Sequence, residues 1–216
     1  MRLLLAALPL HLVSLDEAAG GAGAKVEIVE DGATFLANAL KKATTVARAL
    51  ALPALADDSG LEVDALDGRP GIYSARFAGA AATDGENNQK LLHELDVVQA
   101  MGAAPRGLDG VVRWTARFRC ALVLVDPIAI GAPLVAEGAC EGEILRDARG
   151  ESGFGYDPIF AVSNEPASGS NRTDSARLRT FAELHDAEKN RRSHRAKAVA
   201  AIVPMLRRWL GLGDEG

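Results

Sequence analysis

Asp57 and Asp58 stand side by side after an apolar run, Pro53-Ala54-Leu55-Ala56, and Ser59-Gly60 follow them. The run reads as a buried strand, and Gly60 reads as the turn leading to a second apolar segment, Leu61 to Leu66. Acids at the carboxyl end of a strand face the crevice where α/β proteins bind ligands. Two adjacent negative charges are costly unless a cation or a shared proton relieves them. The pair therefore suggests a metal-assisted site, and Mg²⁺ held by one or two carboxylates works on phosphates. The competing reading is a solvated Asp-Asp-Ser-Gly turn, and the tetrapeptide alone leaves both open.

Two further segments have chemistry to offer. Gly153-Phe154-Gly155-Tyr156-Asp157-Pro158 holds two aromatics and an acid on a Gly-rich loop. Aromatic faces presented this way suit a flat ligand such as a base, and Asp157 can accept hydrogen bonds from ring N–H groups; a turn with a tucked Tyr156 fits equally. Lys189-Asn190 and Ser193-His194-Arg195 cluster cations where a last helix begins, which favours an anion. The same run also reads as a solvated basic face continuing through Arg191, Arg192 and Lys197. Gly71 to Phe77 reads as a Gly-bounded loop after a Pro-Gly turn, and Arg76 within it suits either a phosphate or an internal carboxylate.

The elements that must position these residues come from a chain of 216 residues, 48% hydrophobic and 25% charged, with net charge −5. That length fits one larger domain or two small lobes. The acidic balance argues against a nucleic-acid polymer as partner, though a local cation cluster suffices for a nucleotide. Cys120 and Cys140 lie in apolar stretches and read as buried free thiols of a reducing cytoplasm, with a disulfide left open. The N-terminal Met1 to Leu15 and the small residues from Ala18 to Ala24 imitate a secretory leader. The favoured reading is two short core strands, Arg2 to Ala6 and His11 to Leu15, and no segment is long enough to span a membrane.

Apolar spacing predicts a helix over Thr34 to Leu50, capped by Asp31 or Thr34, and another from Thr83 or Asp84 to about Met101. Strands are expected at Arg117 to Asp126 and Leu134 to Leu145, and a mobile surface loop at Ser163 to Arg179. Thr180-Phe181-Ala182-Glu183 reads as a capping box. A last helix spans about Ser193 to Leu210, with Pro204 expected to kink or break it. Helices and strands mixed in this order predict an α/β sheet.

Together these segments resemble the inosine/xanthosine triphosphate pyrophosphatase family. The matches are Ala56 to Leu61 with Val63 to Leu66, Pro70 to Gly79, Gly153 to Phe160, Thr180 to Leu184, Glu188 to Asn190 and Ser193 to Arg195, all in the family's order. The resemblance implies a single pyrophosphatase domain over residues 1–216, a long mixed sheet with flanking helices in two lobes around a nucleotide cleft, and a cytoplasmic homodimer. It implies release of pyrophosphate from a non-standard purine nucleoside triphosphate (ITP, dITP or XTP) with Mg²⁺. Asp58 matches the catalytic acid, which would bind the metal; the carboxylate pair itself offers Asp57 as a second metal ligand. Ser59, Lys42, Phe154, Gly155, Tyr156, Asp157, Lys189, His194 and Arg195 match substrate-binding positions. His194 and Arg195 suit a 6-keto purine, since donors there are left unpaired by adenine's amino group. The Phe154 to Asp157 and Ser193 to Arg195 segments argue against the related septum-formation-inhibitor type.

Two departures stand out. Family members carry a Ser/Thr-x-Asn-x-x-Lys loop and a helix after the first strand; here both are absent, as if excised, and no Lys or Arg lies between Arg2 and Lys25. Where the family reads Thr-Phe-x-Glu-Asn-Ala, with a metal-binding Glu, this chain reads Thr34-Phe35-Leu36-Ala37-Asn38-Ala39. The alternative expectation is thus a degenerate member that binds purine nucleotides with little turnover.

Overall fold

The computed structural model describes residues 2–20, 26–105, 110–128, 132–162 and 178–213. Four strands form one sheet in the order β1-β2-β3-β4: Ala54–Val63, Trp114–Val125, Leu134–Ile144 and Phe160–Val162. β3 and β4 are antiparallel, with Gly142 opposite Val162 and Ile144 opposite Phe160. The α-helices are α1 Leu15–Ala18, α2 Phe35–Leu50, α3 Asp84–Ala100, α4 Asp186–Arg192 and α5 His194–Trp209. The chain divides into two compact units, and β1, β2 and β3 contribute residues to both.

The first unit comprises Met1–Ser59, Arg119–Ala139 and Ser193–Gly216. Its core joins Leu5 and Leu8 to Cys120, Leu122 and Leu124 of β2 and to Ala198, Ile202 and Leu206 of α5. The helix approaches β3 closely because position 138 is Gly. A Cβ there would lie 2.2 Å from the His194 carbonyl oxygen and 2.4 Å from the Ala198 nitrogen. This unit also holds a cavity of about 500 Å³, lined mainly by apolar side chains including Leu10, Leu12, Val46, Leu50, Leu124 and Trp209, with Lys42 and Asp57 among its walls.

The second unit comprises Gly60–Phe118 and Cys140–Arg192. Leu91 and Leu95 of α3 join Leu61, Val63 and Leu66 in its core. Phe118 meets Phe160 edge-on at 4.6 Å and stacks on Phe181 at 5.7 Å, contacts worth more than their buried area alone.

The expected helices over 34–50 and 84–101 form, capped by Thr34 and by the Thr83/Glu86 box. At the turn before the short 3₁₀ helix Phe181–Glu183, the Thr180 N–H donates to the Glu183 carboxylate at 2.7 Å. Cys120 and Cys140 are buried free thiols, and among the described residues no helix is long and apolar enough to cross a membrane. The expected loop at 163–179 falls outside the described residues as far as position 177.

Four expectations are corrected. The N-terminal strands do not form: Arg2–Leu5 is a 3₁₀ helix, and α1 starts at Leu15. Ser14 and Glu17 explain the latter, since each side chain accepts from the other's backbone N–H, at 3.2 and 2.6 Å, and that box commits the chain to a helix. The Asp57-Asp58-Ser59-Gly60 turn is absent as well. β1 runs straight through it, and Ser74 helps by accepting the Leu61 N–H at 2.9 Å. The expected loop over 71–77 winds as a 3₁₀ helix, Gly71–Arg76, in which Arg76 lies over the Tyr73 ring. Of the kink or break expected at Pro204, the break does not occur, since α5 runs on to Trp209. Pro204 and Ala200, whose carbonyl loses its helical donor, both face solvent, so water can satisfy that oxygen.

Candidate functional site

Continuity of β1 decides what Asp57 and Asp58 can do. Successive side chains on a strand point to opposite faces, so the two carboxylates cannot act as one pincer. Asp58 is 8% exposed. It accepts from Lys42 Nζ at 2.7 Å and from Asn38 Nδ2 at 3.2 Å, both on α2. Positions 38 and 42 are one turn apart on the face that α2 buries, which is why both reach the same carboxylate. Asn38 also accepts the Gly32 N–H at 2.7 Å, and Glu30 reaches Lys42 at 3.1 Å. Lys42 thereby gathers the Asp58 and Glu30 carboxylates and, at 3.3 Å, the Asp57 carbonyl oxygen. Burial alone would lower the Lys42 pKa, but the bonds to Asp58 and Glu30 outweigh it and hold the pKa above its usual value.

Asp57 has different partners. Its Oδ2 accepts from Arg195 Nε at 2.9 Å and from the Ser59 hydroxyl at 3.1 Å. Arg195 stands in the first turn of α5, whose N-cap Ser193 accepts the Ala196 N–H at 3.2 Å. His194 beside it is buried. Cys120 lies near this group: burial pushes its thiol up to about 11, the Ser59 hydroxyl pulls it down, and the Asp57 charge raises it.

The second unit carries the aromatic loop. Phe154 is 62% exposed, and the Lys189 ammonium lies 5.1 Å from its ring centroid. Asp157 is buried and accepts from Lys189 at 2.5 Å and from the Phe154 N–H at 2.8 Å. Gly153, at φ +88°, leaves no room for a Cβ, which would fall 2.2 Å from Asp157 Oδ2 and 2.8 Å from Lys189 Nζ. Tyr156 is buried and donates its hydroxyl to the Ser74 carbonyl at 2.9 Å. Burial, with the Asp84 charge behind it, raises its pKa.

The candidate residues thus form two groups. Lys42, Asp57, Asp58, Ser59, His194 and Arg195 belong to the first unit; Phe154, Gly155, Tyr156, Asp157 and Lys189 belong to the second. Asp157, expected to meet ring N–H groups, already takes two donors from its own unit. Glu30 and Asn38 were missed from sequence. Their signal was Glu30 two residues before Gly32, and Asn38 four residues before Lys42 on the same helix face. Among the described residues no three His, Cys, Asp or Glu side chains form a metal-binding group. The donors that fit a hard, oxygen-seeking cation are Asp58 and Glu30, both drawn to Lys42. Asp57, engaged by Arg195 and Ser59, stands outside that set. Ala37, where the resemblance leads one to expect a glutamate, is exposed and offers no donor.

A family model described as the Ham1 family matches residues 1–205. A dITP/XTP pyrophosphatase of Methylococcus capsulatus is 47% identical over 185 residues, which is 86% of this chain and 81% of the relative. One from Desulfotalea psychrophila is 45% identical over 188 residues, 85% of this chain and 72% of the relative. A solved HAM1 protein from Coxiella burnetii matches with TM-score 0.74 at 37% identity, covering 98% of this chain and 91% of the other.

Proposed function

Because the chain belongs to the Ham1 family, we propose that it hydrolyses non-standard purine nucleoside triphosphates, such as dITP, ITP and XTP, to the monophosphate and pyrophosphate. The observation that carries the reading is Asp58, a buried carboxylate held by Lys42 and Asn38 within the residues that the family model matches. In this reading Asp58 orients a water and takes its proton as that water attacks the α-phosphorus. Lys42 and Arg195 exchange their carboxylate partners for phosphate oxygens, and Ser59 contacts the same end of the substrate. Phe154 stacks on the base, while Lys189 and Asp157 hold the loop that presents it. Mg²⁺, when bound, neutralises phosphate charge and polarises the scissile bond. Asp58 and Glu30 are the side chains suited to hold it. The same reading includes a homodimer working in the cytoplasm; equilibrium sedimentation at monomer mass would remove the dimer from it.

The test is pyrophosphate release from dITP, XTP and dATP with Mg²⁺, for wild type and Asp58→Asn. Release from dITP and XTP should exceed that from dATP. Asp58→Asn should lower kcat by about 10²–10³-fold, as for other preorganised catalytic groups. Equal silence of the two proteins sinks turnover. A second reading, a purine-nucleotide binder with little turnover, is favoured by Ala37 and by the lack of any Lys or Arg between Arg2 and Lys25. Tight ITP binding without release of pyrophosphate would establish it.

A further inference from the structure

Both backbone groups of Gly155, in the middle of the aromatic loop, are taken by the same helix. Asp84 Oδ2 accepts the Gly155 N–H at 2.7 Å. Asn88 Nδ2 donates to the Gly155 carbonyl at 3.1 Å. Asp84 and Asn88 are four residues apart, one turn of α3, and so share a face. That turn is itself fixed, because Thr83 and Glu86 close a capping box around it. Gly155 has φ +62°, a conformation that L side chains adopt only at some cost. Holding both ends of the residue locks the peptide that leads directly out of Phe154.

The need for such a lock is visible at Phe154. That residue is largely in solvent, and the nearby Lys189 ammonium gives an attraction that fixes no orientation. Tyr156 and Asp157 are anchored on the following side, at the Ser74 carbonyl and at Lys189. The α3 contacts anchor the middle of the loop.

We propose that Asp84 and Asn88 are positioning residues for purine recognition: through Gly155 they set the direction of the Phe154 ring. Neither touches the base in this account. The proposal rests on the reading of Phe154 as the base-stacking residue. Its structural half is testable without nucleotide.

The experiment pairs amide hydrogen exchange at Gly155 with calorimetric binding of ITP and ATP, on the full chain. Asp84→Ala should raise the Gly155 exchange rate at least about tenfold, the loss of one ordinary hydrogen bond. The Asp84→Ala/Asn88→Ala pair should weaken ITP binding about tenfold or more and shrink the ITP-over-ATP preference. Asp84→Asn keeps an oxygen acceptor of the same shape and should restore both, which a general loss of stability would not allow. Unchanged Gly155 exchange in Asp84→Ala overturns the clamp. Faster exchange with unchanged ITP affinity and preference in the double variant overturns its role in recognition. If wild type binds ITP no better than ATP, the base-stacking reading fails and the recognition role fails with it. Should the double variant not fold, Asn88→Ala alone carries the same comparison.

Discussion

Gly138→Ala tests how the sheet sets the first group of site residues. The added Cβ would sit 2.2 Å from the His194 carbonyl oxygen and 2.4 Å from the Ala198 nitrogen. Both are backbone atoms of α5, so no side chain can swing aside. Carbon and oxygen settle at about 3.5 Å, so the first turn of α5 must retreat by about 1 Å. Arg195 lies in that turn, and its 2.9 Å bond to Asp57 would then stretch past hydrogen-bonding distance. Overpacking of this kind costs about 1–3 kcal/mol, and backbone overlap argues for the upper end. For a chain of this length each kcal/mol moves Tm by about 2–4 °C, so a drop of about 6–12 °C is expected, with weaker ITP binding. Gly142→Ala is the comparison. Gly142 belongs to the second unit, and its Cβ would strike Ala161 and Phe160 of that same unit, lowering Tm without touching α5. A Gly138→Ala protein that melts within 1 °C of wild type and binds ITP equally refutes the reasoning.

Other variants probe separate links. Lys189→Met should cost about 3–5 kcal/mol, because it strips the buried Asp157 of its cation; adding Asp157→Asn should recover more than half by thermal melt. Asp64 is held below the usual carboxylate range: burial would raise its pKa, but the bonds from Thr115 and Arg117 prevail. Its contribution is present above the ordinary value of 3.8 and is lost as pH falls through the lowered folded value. Asp64→Asn should therefore flatten the acid limb of a Tm-against-pH curve, and an unchanged limb would count against it. Val46→Leu adds one methylene toward the apolar cavity and should stabilise by about 0.8 kcal/mol, whereas a lower Tm would mean the space there is not available.

Helix spans were legible because periodicity and caps agree: Thr34 and Thr83 stand where apolar spacing begins, and both accept the backbone N–H expected of a cap. The N-terminal strands were misread because Leu-rich segments suit either state. The local choice is made by Ser14 and Glu17, a capping box inside an apolar pattern that also suits a strand. Family motifs brought the residue types of the site into view, and Lys42, Asp58 and Arg195 indeed lie in one unit. What they did not reveal was the pairing. Glu30 and Asn38 enter through contacts with Lys42, Asp58 and Gly32 that depend on how the segment before α2 lies against the helix, which no single-sequence spacing encodes.

Whether the chain turns at Gly60 or runs on as β1 decides how the two acids share charge. Read as a turn, Asp57-Asp58 becomes a pair of charges in one place that needs a shared cation. Read as a strand, the same two residues face opposite ways, and the like-charge problem largely disappears. Each carboxylate then has its own cation: Arg195 from α5 for Asp57, and Lys42 from α2 for Asp58. Arg195 and Asp57 hold the first turn of one helix to β1, while Lys42 and Asn38 hold the other helix to the next residue of the same strand. β1 thereby fixes both helices through a single dipeptide. Of the two acids, Asp58 is buried and Asp57 is only half-buried. Asp58 also has a neighbouring carboxylate, Glu30, on its own cation. That asymmetry is the physical ground on which the proposed function gives the two residues different tasks, with Asp58 at the chemistry and Asp57 holding the arginine until phosphate replaces it.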